Sequence, residues 1–129
     1  MSRGILRQYP KRVKRLIREW MTEAYERELH RELTVLDESF TEWRRGAIGS
    51  GELSHRIHEW ETGPSRALFK HYNYGPQDTS VAYTIVLGIL DEGEVPGELL
   101  EAIAGPLEFF RSVQERGELR GREGTWWRS

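Results

Sequence analysis

Four side chains that could bind a metal ion fall within eight residues of the chain. Glu52 and His55 form a Glu-x-x-His pair, and His58 and Glu59 follow. Residues three or four apart share a side of a helix, so Glu52, His55 and Glu59 can converge on one cation, with His58 beside them. Ferritin-like carboxylate sites require a second such motif and two further glutamates, whereas this sequence has one Glu-x-x-His. We therefore expect a solvated helix face without metal or cofactor, and keep a metal site as the alternative.

A second pair with chemical potential is Arg66 and His71, which have the spacing Arg-x4-His. In this motif the chain resembles HEPN domains, small helical bundles that include many ribonucleases. The resemblance implies that His71 is a general acid or base and that Arg66 binds a phosphate. The alternative, which we expect, is that His71 is a partly buried histidine at the edge of the core, because it falls close to the apolar side of its predicted helix.

The first 18 residues form a cationic leading arm. They contain seven Lys and Arg residues and no acid, so residues 19–129 carry a formal charge of −9 within a total of −2. From Pro10 the arm is predicted to be an amphipathic helix, with Val13, Leu16 and Ile17 on its apolar side. Positive charge near a helix N-terminus destabilises the helix, because it opposes the macrodipole. A bound anion would offset this destabilisation. The candidate binding residues are Arg7, Lys11, Arg12, Lys14, Arg15, Arg18 and Trp20.

Three kinds of partner would satisfy this arm: nucleic-acid phosphate, an anionic membrane surface or an acidic protein face. The alternative is that the cations are solvated and partly neutralised, for example Arg15 by Glu19. At the other end, residues 117–129 form a tail rich in glycine and arginine, with Trp126 and Trp127. This tail suits a docking peptide or stacking on single-stranded bases.

The elements that position these residues are predicted to be helices. One long helix runs from Pro10 almost to Gly46, and its apolar residues fall into two series about 140° apart around the axis. The first is Val13, Ile17, Trp20 and Ala24; the second is Tyr25, Leu29, Leu33, Leu36, Phe40 and Trp43. Each half therefore needs its own packing partner. We expect a bend near Tyr25 or a projecting helix, with the first series left for a second copy of the chain or for the tail.

The rest of the chain also has helical patterns. One apolar side is predicted for Leu53, Ile57, Trp60, Pro64, Leu68 and Tyr72, with a kink at Gly63-Pro64. A buried helix follows over residues 81–90, and a last helix from Pro96 is kinked at Gly105-Pro106. The predicted fold class is all-α: a single-domain bundle of four to six helices spanning residues 1–129.

Composition and motif content limit the classes of function that the chain can have. The chain has no cysteine, which excludes disulfides and thiolate metal sites. It has neither a secretory h-region nor a membrane-length apolar run, so we expect a cytoplasmic protein. There is no Gly-rich phosphate loop. We predict an interaction module that acts by protein–protein association, as a homodimer through the first half of the long helix. We also expect that the protein is not an enzyme. The alternatives are a nucleic-acid-binding protein and a HEPN-like ribonuclease.

Overall fold

The computed structural model describes residues 8–119, which form an all-α bundle as predicted. A π-helical stretch, Glu61–Ser65, joins the helices Ser50–Trp60 and Arg66–Asn73. A 3₁₀ turn, Glu92–Glu94, precedes the helix Gly97–Ala102. No strand occurs within these residues. Arg7, Trp126 and Trp127 lie outside the described range. The helices are α1 (Lys11–Arg44), α2 (Ser50–Trp60), α3 (Arg66–Asn73), α4 (Gln77–Leu87), α5 (Gly97–Ala102) and α6 (Ala104–Glu115).

The longest element, α1, is the axis of the fold. Its 34 residues correspond to about 51 Å of helix, and the α-helical conformation continues through Tyr25 without interruption. The first half packs against α4 and α5, the centre contacts α3 through Tyr25 and Glu28, and the second half packs against α2. The first apolar series of α1 therefore has packing partners within the chain, whereas the second series keeps Leu33 48% and Trp43 40% exposed.

The first apolar series of α1 lies in the protein's own core. Val13, Ile17 and Met21 are buried together with side chains from the C-terminal half of the chain. The expectation that this series is left for a second copy or for the tail is wrong, because α4 and α5 of the same chain cover it. The partners in this core include Val81, Ala82, Ile85, Leu90, Val95, Leu99, Ile103 and Leu107.

The middle segment packs largely as its apolar spacing predicts. Leu53, Pro64, Leu68 and Tyr72 are buried, and Trp60 is half-buried. Ile57 departs from the prediction, since 38% of its surface is exposed. The reason is that, among the described helices, α2 packs mainly against α1, so a side chain at the flank of that single contact stays in water.

The two Gly-Pro sites fall at helix junctions. Gly63-Pro64 lies inside the π-helical stretch, where a wider turn accommodates a residue that lacks the backbone N–H. Near the second site, α5 ends at Ala102 and α6 begins at Ala104. Pro106 thereby falls in the first turn of α6, where no intrahelical donor is needed. The predicted kinks themselves stay predictions.

None of the helices within residues 8–119 is long and apolar enough to cross a membrane.

Candidate functional site

The second apolar series of α1 forms a partly exposed surface. Leu33, Leu36, Phe40 and Trp43 recur at intervals of three and four, so they share one side of the helix. Leu33 is 48% exposed and Trp43 is 40% exposed, while Leu36 and Phe40 are half-buried. Ile57 of α2 adds a further exposed side chain, and we call these five residues the apolar hairpin face.

Polar contacts hold α1 and α2 together as a hairpin. The guanidinium of Arg56 donates to Glu42 at 2.6 Å and to Ser39 at 3.2 Å. At the tip, the indole N–H of Trp43 donates to Ser50 at 3.1 Å. At the base, the indole N–H of Trp60 donates to the backbone carbonyl of Glu32 at 3.0 Å. These bonds fix the hairpin, and they leave Leu33, Trp43 and Ile57 each more than a third exposed.

Two opposite charges border this face. Asp37 and Arg44 lie seven residues apart and hence on nearly the same side of α1 as Leu33 and Phe40. Within the described chain, no base lies within 4 Å of the Asp37 carboxylate and no acid within 4 Å of the Arg44 guanidinium. Arg44 makes one hydrogen bond, to the hydroxyl of Thr41 at 3.3 Å. The two charges are therefore available to a partner.

Most of the predicted binding residues of the leading arm share one exposed side of α1. Lys11, Lys14, Arg15 and Arg18 recur at intervals of three and four, on the side opposite the buried series. We call these four residues the basic face. A surface cleft of about 460 Å³ is lined by them together with Arg12. Five cations around one concavity make an electropositive surface suited to an anion.

Two of these five cations form ion pairs with acidic side chains of the same chain. Arg12 pairs with Glu98 at 2.7 Å, and its pKa is raised by that hydrogen bond. Arg15 lies 3.7 Å from Glu19, as the sequence predicts. For Lys11, Lys14 and Arg18, the part of the chain that the structure describes supplies no acid within 4 Å.

Trp20 does not belong to the basic face. Its ring is half-buried and packs against the core beside the first apolar series. Trp20 was predicted to be a binding residue together with the cations of the arm, but its side chain lies apart from the basic face.

The four side chains with metal-binding chemistry are not gathered into one site. The Glu52 carboxylate accepts a hydrogen bond from Arg56 at 3.0 Å, and His55 lies 3.5 Å from Glu59. His58 is exposed on the same helix. Within residues 8–119, no group of three or more histidine or acidic side chains is placed to hold a metal ion.

The Arg66 and His71 side chains lie on different sides of α3. A separation of five residues leaves them about 140° apart around the axis. Arg66 is exposed, whereas the His71 ring packs edge-on against Tyr72, with centroids 4.7 Å apart. Burial lowers the pKa of His71 to about 4, so its ring is neutral at pH 7 and a weak base there. His71 is therefore partly buried, at the edge of the core, and the ribonuclease assignment stays a prediction.

Two buried glutamates on α1 were missed by the sequence analysis. Glu28 keeps 1% of its surface exposed and accepts a hydrogen bond of 2.5 Å from the hydroxyl of Tyr72. It also lies 3.4 Å from Arg31. Burial, followed by the neighbouring Glu28 carboxylate, raises the pKa of Tyr72. Tyr25 stacks on the same tyrosine ring with centroids 5.0 Å apart, so this polar pair is enclosed.

The second buried glutamate, Glu32, lines a cleft between α1, α2 and the π-helical stretch. The cleft measures about 460 Å³, and its walls include Val35, Trp60 and Pro64. Glu32 is 9% exposed. A sequence signal exists for both glutamates: they lie one turn apart, and at 100° per residue they fall between the two apolar series, where the buried side of α1 changes.

No protein-family model matches the chain, and no curated protein or solved structure matches it.

Proposed function

We propose that the protein is a small interaction module of the cytoplasm that acts by association with a second copy of itself. The observation that carries this proposal is the apolar hairpin face, on which Leu33, Trp43 and Ile57 are each more than a third exposed. Large apolar side chains grouped on one surface are typical of protein interaction sites. The sequence-based prediction placed the interface on the first half of α1; the exposed second half is the better candidate.

The spacing on α1 favours an antiparallel pair of copies. Leu33, Leu36, Phe40 and Trp43 occupy a and d positions of a heptad pattern, and Asp37 and Arg44 then both occupy e positions. If two α1 helices cross antiparallel near residues 40 and 41, the Asp37 of each copy lies beside the Arg44 of the other. A parallel pair would leave both charges without an opposite neighbour.

Pairing of two hairpins would also form a four-helix bundle. Each hairpin contributes two helices, so a symmetric pair forms a four-helix bundle in which the apolar hairpin faces are buried. The contact is isologous, because the same surface is used on both copies, and twofold symmetry closes the assembly at a dimer.

Sedimentation equilibrium tests this association. The full chain is expected to sediment as a dimer, and Leu33→Glu is expected to shift it toward the monomer, because a carboxylate would be buried in the interface. Phe109→Glu is the matched control, since Phe109 is also exposed but lies on α6. A wild-type chain that stays monomeric at high concentration would refute the proposal.

A second candidate function is binding of nucleic acid by the basic face. It is favoured by one observation: Lys11, Lys14 and Arg18 have no acid within 4 Å among residues 8–119. Cations that follow one side of a helix at regular intervals match the regular spacing of backbone phosphates. This surface lies away from the apolar hairpin face, so the two functions are compatible in one dimer.

A further inference from the structure

Glu32 keeps 9% of its surface exposed, and its side chain lines the cleft without a charge partner among the described residues. Among residues 8–119 it has neither a hydrogen-bond donor nor a cation within 4 Å, although its backbone carbonyl accepts from Trp60. A carboxylate with little access to solvent attracts a counter-charge more strongly than one in bulk water. Such a group in the wall of a cleft indicates a place where a cation would be stabilised.

The nearest cation in the cleft wall is already neutralised. Arg56 pairs with Glu42 at 2.6 Å and with Glu52 at 3.0 Å, and these hydrogen bonds raise its pKa. A second acid, Glu59, stands at the rim of the cleft. The cleft is therefore net acidic even though an arginine contributes to its wall.

The remaining walls are apolar and aromatic. Val35, Trp60 and Pro64 provide a surface for a hydrocarbon group. The indole N–H of Trp60 is held by the Glu32 carbonyl at 3.0 Å, which fixes the ring next to the acid. A positive group near this ring would gain both the Coulomb attraction of the carboxylate and a cation–π interaction.

We propose that this cleft binds an organic cation, namely an ammonium or guanidinium group carried on an apolar stem. A metal ion is a poorer fit, because no group of three acidic or imidazole ligands occurs among the described residues. The cation can be a free amine or the side chain of a lysine or arginine in another polypeptide. The cleft shares Leu36 with the apolar hairpin face, whereas its acid, Glu32, lies about 100° around α1 from Leu33.

Titration of the full chain with benzylamine, followed by the indole N–H resonance of Trp60, tests the site. The resonance is assigned with Trp60→Phe. We expect a saturable shift that is weakened at least tenfold by Glu32→Gln and unchanged by Glu38→Gln, which alters an exposed carboxylate on another side of the same helix. Benzyl alcohol has nearly the same shape without the charge and is expected to bind at least tenfold more weakly. Equal affinity for the amine and the alcohol, or no effect of Glu32→Gln, would overturn the proposal.

A second variant keeps the test decisive if Glu32→Gln does not fold. Val35 is 54% exposed and lies one turn after Glu32, so Val35→Arg places a guanidinium beside the carboxylate and should abolish benzylamine binding. Unchanged binding by this variant would contradict the assignment. A peptide with one central arginine is compared with benzylamine in the same titration. Tighter binding of the peptide identifies a polypeptide as the source of the cation, and tighter binding of the amine identifies a small molecule.

Discussion

The hydroxyl of Tyr72 donates a hydrogen bond of 2.5 Å to the carboxylate of Glu28, and the two residues are 44 positions apart in the chain. This bond ties α3 to the centre of α1, at the level where the buried side of the long helix changes direction. It thereby connects the core of the bundle with the base of the hairpin.

Tyr72→Phe is expected to destabilise the protein by about 1–3 kcal/mol, because it removes a donor from a buried carboxylate while the stacking on Tyr25 is kept. Urea unfolding followed by circular dichroism measures the change. Tyr74→Phe is the control, since Tyr74 is exposed and its hydroxyl should contribute little. A similar loss of stability in both variants would contradict the role given to the Glu28 bond.

His71 is expected to make stability fall in mild acid. The unfolded chain protonates this histidine at about pH 6.5, whereas burial lowers its pKa in the folded protein to about 4. Between these values protonation favours unfolding, by up to about 1.4 kcal/mol for each pH unit. Urea unfolding from pH 7.5 to 4 should therefore show a shallower decline for His71→Gln than for the wild type. An exposed-site control, His30→Gln, should follow the wild type, and parallel curves for all three proteins would contradict this account.

The bond between Arg27 and Glu94 predicts a second, lower pH dependence. Arg27 donates to both oxygens of Glu94, at 2.6 and 2.7 Å, which lowers the pKa of Glu94 to about 2. Since the pKa of a free glutamate is near 4.5, the stabilisation is present above that pH and is lost as the pH falls toward 2. The difference in stability between the wild type and Glu94→Gln should shrink over this range. Glu101→Gln, at an exposed position that has no ion pair among residues 8–119, should show no such trend.

Nucleic-acid binding by the basic face should depend strongly on salt. Replacing Lys14 and Arg18 with glutamine is expected to weaken binding of a labelled oligonucleotide and to reduce the slope of log affinity against log salt by about 2, one for each phosphate contact. Fluorescence anisotropy measures both quantities. The matched control replaces Arg66 and Lys70, which are exposed on α3, and changes net charge equally. Equal weakening in the two double variants would mean that total charge, and not this face, drives binding.

Helical periodicity was sufficient to predict the fold class and most of the buried side chains. Leu53, Leu68 and Tyr72 belong to an apolar series that recurs every three or four residues, which predicts that they share the buried side of a helix. All three are buried. The predicted helix over residues 81–90 is confirmed for the most part by α4, whose Val81, Ala82 and Ile85 are buried. These features depend on local sequence, which a single chain displays directly.

The choice of which face of α1 is exposed could not be made from local sequence. Both apolar series require a partner, but the helix that covers Ile17 and Met21 lies more than 55 residues further along the chain. Periodicity shows that a face must be covered and does not show by which element. For the same reason Ile57 was predicted to be buried, and the burial of Glu28 and Glu32 was not predicted, since the elements that cover them, α3 and the π-helical stretch, are distant in the sequence.

A charge-reversal cycle on Asp37 and Arg44 tests the proposed dimer most directly. Sedimentation equilibrium is measured for the wild type, Asp37→Arg, Arg44→Asp and the double variant. In an antiparallel pair each single change brings like charges together twice, so we predict dimer dissociation constants raised about tenfold or more in the single variants. The double variant restores opposite charges and should regain the wild-type constant. A double variant as weak as the single variants, or four proteins that are all monomeric, would contradict the account.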